Sequence, residues 1–286
     1  MNLPEAKVAA AVATILVFGW LTFAPESRAQ IFQQPAGPNN MANLKASQDQ
    51  LNVLQNVETH SAIDPKETAA YQKFFEVDPR NAEKKIKLGT AFLDRFPKSA
   101  YVEAVDVGLT NAYLAKQDIK DFYATADRAL ALNPNEVDVL TTYGWVIPHE
   151  FDPSAPDAAK QLVRAEGYEK RAIDLMSKMK KSNGETDRQF ARSKDQELQQ
   201  AHSALGLIYF RSGDYADSAQ ELQLSTQATG GVDETDLFVL GLDLHNMKRH
   251  ADAESTFARC SQVAGPLQDR CKQSADQEKK LASGGM

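Results

Sequence analysis

Two stretches decide the fold: Ala204-Leu205-Gly206-Leu207-Ile208-Tyr209-Phe210-Arg211-Ser212-Gly213-Asp214-Tyr215, and Val239-Leu240-Gly241-Leu242-Asp243-Leu244-His245-Asn246-Met247-Lys248-Arg249-His250. They register at a shift of 35 residues, and the register continues from Leu222 and Ser225 in the first to Phe257 and Cys260 in the second. Each stretch holds a small residue inside an apolar helical period, then a bulky one a turn later, then a turn. Gly206 or Gly241 lets the first helix of a pair approach the second closely, and Tyr209 or Leu244 fills the gap beside it. A fixed period of this length is the mark of a repeated helical hairpin, which cannot bury its apolar face without a stacked neighbour.

The pattern extends outward. An earlier pair carries Leu109, Tyr113, the turn Gln117-Asp118, then Ala129-Leu130 and Asn133-Pro134, and 34 residues after Leu109 comes Tyr143-Gly144. Helical segments alternate with breaks at Asp64-Pro65, Asp78-Pro79, Phe96-Pro97, Ser182-Asn183-Gly184, Gly213-Asp214, Gly230-Gly231 and Gly265-Pro266. One pair departs from the rule. Its first helix ends at Trp145-Val146-Ile147-Pro148, and an insertion near 148–156 replaces the tight turn before long helices over 157–180 and 189–210. Residues 266–286 have the polar composition of a capping helix with a frayed tail.

The Leu205-Gly206…Tyr209…Gly213-Asp214-Tyr215 unit, with Leu240-Gly241…Ala253…Phe257 and Ala129-Leu130…Asn133-Pro134, resembles the tetratricopeptide repeat (TPR) family, in the style of bacterial envelope proteins. The resemblance covers roughly residues 66–265. It implies an all-α, TPR-like α-solenoid of antiparallel helix pairs with a C-terminal capping helix, and a non-enzymatic scaffold that binds a partner protein or peptide on its concave face. By analogy with the family, Asn111, Thr141, Trp145, Ser203, Leu207, Phe210, Phe238 and Leu242 line that face. Asn111 matches one place of a carboxylate clamp, but Val107 and Asp138 stand where the clamp needs bases. Trp145, beside the insertion, reads either as an aromatic anchor for a partner or as a core residue packed between helices.

The N-terminus bears on the compartment. Val8 to Phe23 is free of charge, with Lys7 before it and Pro25, Glu26 and Arg28 after it, the layout of a secretory signal over residues 1–29. As a helix the run rises about 24 Å, short of a hydrocarbon core of roughly 30 Å. Cleavage after Ser27-Arg28-Ala29 and retention as an inner-membrane anchor facing the periplasm are the two readings; membrane contact in the second runs through residues 8–23 only. Residues 30–65 read as a flexible tether followed by an amphipathic helix, Met41 to Val57. Export makes a Cys260–Cys271 disulfide across the turn at Ala264-Gly265-Pro266 the expected state of the two cysteines, against two buried free thiols.

Composition narrows the function. Lys and Arg number 32 against 39 Asp and Glu, a net charge of −7, so there is no basic surplus for nucleic acid. No nucleophile elbow, phosphate-cradling loop or dinucleotide fingerprint occurs, and no cofactor is expected. The five histidines, His60, His149, His202, His245 and His250, show no ligand spacing; His245 and His250, five apart across a turn, read as surface residues and no metal is expected. A hydrolase or small-molecule binder using the insertion is the remaining alternative, since a pocket there is invisible in sequence.

Overall fold

Helix boundaries follow local chemistry. Asp64 accepts a hydrogen bond from Lys66 N at 2.9 Å and Pro65 occupies the first helical position, starting α1 (Pro65–Phe75). Asn81 caps α2 (Ala82–Arg95) through Lys84 N at 3.2 Å. Then come α3 (Val102–Ala115), α4 (Ile119–Leu132), α5 (Val137–His149), α6 (Ala158–Lys178), α7 (Asp187–Ser212), α8 (Tyr215–Gln227), α9 (Glu234–Asn246), α10 (His250–Cys260) and α11 (Gln268–Ala282). The computed structural model describes residues 64–181, 186–227 and 232–284, and these are all-helical, with turns and loops between the helices. The expected signal, tether and Met41–Val57 helix lie outside the described residues, as do the breaks at Ser182-Asn183-Gly184 and Gly230-Gly231. Among the described residues no helix is long and apolar enough to cross a membrane.

Observed bounds correct three expectations in detail. Pro148 does not stop α5, which carries it in its last turn through to His149. The long helices run Ala158–Lys178 and Asp187–Ser212, the latter opened by a capping box in which Thr186 and Gln189 satisfy one another's backbone N–H groups. Finally, α11 begins at Gln268, because Pro266 lies in a turn and not at the first helical position.

The described residues divide into two compact bodies, 64–143 and 144–284, with the division inside α5. In the first body, successive helices α1 to α4 pack on one another and α1 also meets α3. Its core is aromatic: Tyr71 stacks on Tyr101 at 4.2 Å between centroids, with Phe74, Phe92, Val105 and Leu109 around them. In the second body, α6 to α11 again pack in succession except where α7 also meets α9 and α9 also meets α11. One continuous core there joins Leu207, Phe210, Leu222, Leu237, Phe238, Leu240, Leu244, Phe257 and both cysteines.

Three hairpin turns are built alike. Gly213, Lys248 and Gln117 all take the left-handed conformation, at φ 80°, 61° and 58°. The next residue then returns its N–H to a carbonyl five residues back: Asp214 to Tyr209 at 2.9 Å, Arg249 to Leu244 at 2.8 Å and Asp118 to Tyr113 at 3.0 Å. The helix pairs also meet alike. A Cβ at Gly206 would collide with Leu222, and one at Gly241 with the Phe257 ring, so each glycine is the floor on which the second helix rests.

Cys260 and Cys271 form a disulfide with Cα atoms 5.6 Å apart, as the spacing about the turn led one to expect. It ties the end of α10 to the start of α11. Closing an eleven-residue separation is worth about 3 kcal/mol in the chain-entropy model, so the Cys260→Ala, Cys271→Ala variant is expected to lose about that much in urea denaturation, and an unchanged midpoint would refute the assignment. Lys248 carries a side chain where Gly213 carries none, and Lys248→Gly is expected to raise stability by roughly 0.5–1 kcal/mol by relieving the left-handed strain; the same denaturation measurement checks it.

Candidate functional site

The eight residues assigned to a concave face separate by burial. Asn111 on α3 is exposed; Trp145, Ser203 and Leu242 are half-buried. Thr141, Leu207, Phe210 and Phe238 are core residues, at 6%, 8%, 7% and 2% exposure, which removes them from any surface a partner could touch without displacing the core. The reason for Leu207, Phe210 and Phe238 is that α7 meets α9 directly, so positions beside the signature glycines are consumed by packing between first helices. Thr141 turns its hydroxyl back onto the Val137 and Asp138 carbonyls of its own helix.

In the second body Trp145 is neither free nor in the central core. Its indole stacks on His149 at 3.9 Å and 28°, and the His149 Nδ1 lies 2.6 Å from the Trp145 carbonyl. Burial, reinforced by the Arg211 charge, holds the His149 pKa down to about 4, so the imidazole is neutral at pH 7 and donates Nδ1–H to that carbonyl. Arg211 lies over the Phe151 ring at 5.9 Å and its Nε is buried without a hydrogen-bond partner. The end of α5, the inserted loop and the end of α7 therefore meet in a small aromatic and cationic cluster, Trp145, His149, Phe151 and Arg211. Sequence placed Trp145 beside the loop but did not bring Arg211 to it.

Buried acids form a second feature that composition hid. Asp236 on α9 is fully buried and receives Ser203 Oγ at 2.6 Å on one oxygen and Ser225 Oγ on the other; burial, with Asp233 nearby, raises its pKa to about 7. Ser203, expected at a binding face, is thus a partner of the core. Asp243 lies two turns further along the same side of α9. Ser218 Oγ is 2.8 Å from the Gly206 carbonyl and 2.6 Å from Asp243 Oδ2, and one hydroxyl proton serves only one acceptor. The carbonyl takes that proton, and a protonated Asp243 donates to Ser218, in accord with a pKa that burial raises to about 8. Glu169 on α6 is the third. It is wholly buried, both oxygens lack partners, and burial pushes its pKa well above the usual carboxylate range, which favours the protonated form. Its carboxyl presses on Gly144 as Leu222 presses on Gly206 and Phe257 on Gly241.

The histidine reading needs correction. His245 and His250 are not separate surface groups: both are partly buried and both converge on Glu278 of α11. Their separation of five across a turn hid this, because the left-handed Lys248 folds the chain back and brings the ring of the first residue of α10 beside the last turn of α9. Comparison with known proteins finds no family model that matches the chain and no similar curated protein.

These pKa shifts have a signed consequence. Asp236 and Asp243 hold protons in the folded state up to about pH 7 and 8 that the unfolded chain has already released near pH 4, so they stabilise the fold below that range and lose the contribution as pH rises through their folded pKa. His149 acts oppositely, between about pH 6.5 and 4, and is silent above pH 6.5. From pH 6.5 to 8 the protein is therefore expected to lose stability with rising pH, by about 1 kcal/mol per pH unit for each carboxyl still protonated. Urea midpoints across that range check it, and Asp243→Asn is expected to make the slope shallower.

Proposed function

We propose that the chain is a TPR-like α-solenoid and acts as an exported, non-enzymatic scaffold that holds a partner protein or peptide along the face of its first helices. One observation carries the reading: the hairpins α3/α4, α7/α8 and α9/α10 use the same left-handed turn and the same returning hydrogen bond, and the last two repeat the glycine contact at an interval of 35 residues. Repetition of a hairpin produces a long surface built of equivalent helices, and such surfaces bind extended peptides or helices.

Burial narrows the face. The residues open to a partner are Asn111 on α3, with Trp145 on α5 and Leu242 on α9 partly accessible, whereas Phe210 and Phe238 hold the helices together. The acidic balance supports a protein partner over nucleic acid. The Cys260–Cys271 bridge supports residence in an oxidising compartment, in keeping with a signal over residues 1–29.

Photo-crosslinking tests the proposal. A crosslinking amino acid placed singly at Asn111, at Leu242 and, as a control on a second helix, at exposed Ser255 is expected to give protein adducts in envelope extract several-fold more strongly at the first two. Equal labelling at Ser255, or no protein adduct at Asn111 and Leu242, would overturn the assignment of that face.

A further inference from the structure

We propose that His245, His250 and Glu278 form a binding site for a divalent transition metal of the Zn2+ type, one that clips the last three helices together. The ligand atoms lie within 4.8 Å of one another, one residue from each of α9, α10 and α11. His245 Nδ1 is 2.6 Å from Glu278 Oε1 and His250 Nδ1 is 2.8 Å from Glu278 Oε2. The two rings meet edge-on, with centroids 5.8 Å apart and planes at 67°.

Glu278 has only 4% of its surface exposed, and its partners are the two imidazoles; among the described residues no lysine or arginine forms an ion pair with it. Each of its two oxygens faces one ring nitrogen, so the donor atoms of all three residues already converge on one small, largely buried space. The donor set, two imidazole nitrogens and one carboxylate oxygen, suits a borderline metal with a fourth position left to water. The imidazoles would bind through Nδ1 as neutral ligands, with the ring proton held on Nε2. Bonds of about 2.0–2.2 Å to nitrogen and oxygen require the imidazoles to draw back from the carboxylate by roughly half an ångström, a small rotation for partly exposed rings.

The rest of the chain shows what this place holds when it is not a ligand set. One repeat earlier, at the same interval of 35 residues, stand Phe210, Tyr215 and Asp243. Phe210 and Tyr215 meet edge-on at 6.0 Å and 61°, almost the geometry of the two histidines, and burial, with Asp243 once it is ionised, raises the Tyr215 pKa. Packing at this junction is thus met by an aromatic pair facing an acid. In the last repeat both aromatic positions have become imidazoles, and both turn a nitrogen to the carboxylate. The site also completes a clamp: α10 runs from His250 to Cys260 and α11 from Gln268 past Glu278, so the disulfide ties one end of this hairpin and the metal ties the other.

The preceding repeat supplies the variant that keeps the fold. Full-length protein, stripped with chelator, is titrated with Zn2+ by calorimetry and with Co2+ by visible absorption, alongside His245→Phe/His250→Tyr, Glu278→Gln and, as a control for histidine elsewhere, His149→Gln. Thermal melting verifies that each variant is folded. The expected result is one equivalent of Zn2+ bound with a raised Tm, Co2+ bands of a four-coordinate site, at least tenfold weaker binding in the first two variants, and no change in the third. Absence of stoichiometric binding by the native chain, or binding that survives in the folded His245→Phe/His250→Tyr variant, would overturn the proposal.

Discussion

The structure depends on a close approach that only a missing side chain permits. Gly206 receives Leu222 and Gly241 receives Phe257, in each case so closely that a methyl group would collide. A hairpin joined by so short a turn has little freedom to set the distance between its helices by other means. Once that distance is set, the turn, the returning hydrogen bond and the burial of the neighbouring apolar residues follow, and in the second body α8 of one hairpin packs on α9 of the next. The continuous core of the second body is the sum of these contacts.

Against this regular background the exceptions carry chemistry. Glu169 stands where the rule calls for a large apolar side chain on Gly144, and its buried, unpartnered carboxyl has its pKa pushed well up. Asp236 and Asp243 occupy α9, the helix covered on several sides by α7, α8, α10 and α11, and are met by serines, not by bases. A protonated carboxyl can lie in an apolar layer at a cost far below that of a charge, which is how a chain with a net charge of −7 builds acids into its core. His245 and His250 are the exception at the end of the array, where aromatic packing positions have been converted into donors aimed at a single carboxylate.

Much of the architecture was legible because its determinants are local. Caps at Asp64, Asn81 and Asp233, the prolines after Asp78, Phe96 and Asn133, and the glycine at 213 mark helix ends by short-range hydrogen bonding and by φ alone. The insertion was equally visible, since it breaks a period. The candidate face was less so. Spacing relative to the signature glycine selects a helical side, but Phe210 and Phe238 on that side are spent on contacts between helices distant in sequence, and spacing cannot distinguish such a contact from an open surface.

Sequence by itself determined that the chain is helical, where most helices begin and end, that its hairpins repeat at 35 residues, and that Cys260 and Cys271 face one another across a turn. These are properties of neighbouring residues, of helical periodicity and of a small residue's lack of bulk. Tertiary structure alone decided which acids are buried and protonated, that Arg211 and Phe151 join Trp145 and His149, and that Glu278 lies between two histidines some thirty residues before it. Those outcomes depend on which face of each helix its neighbours cover, and that is settled only when the hairpins stack.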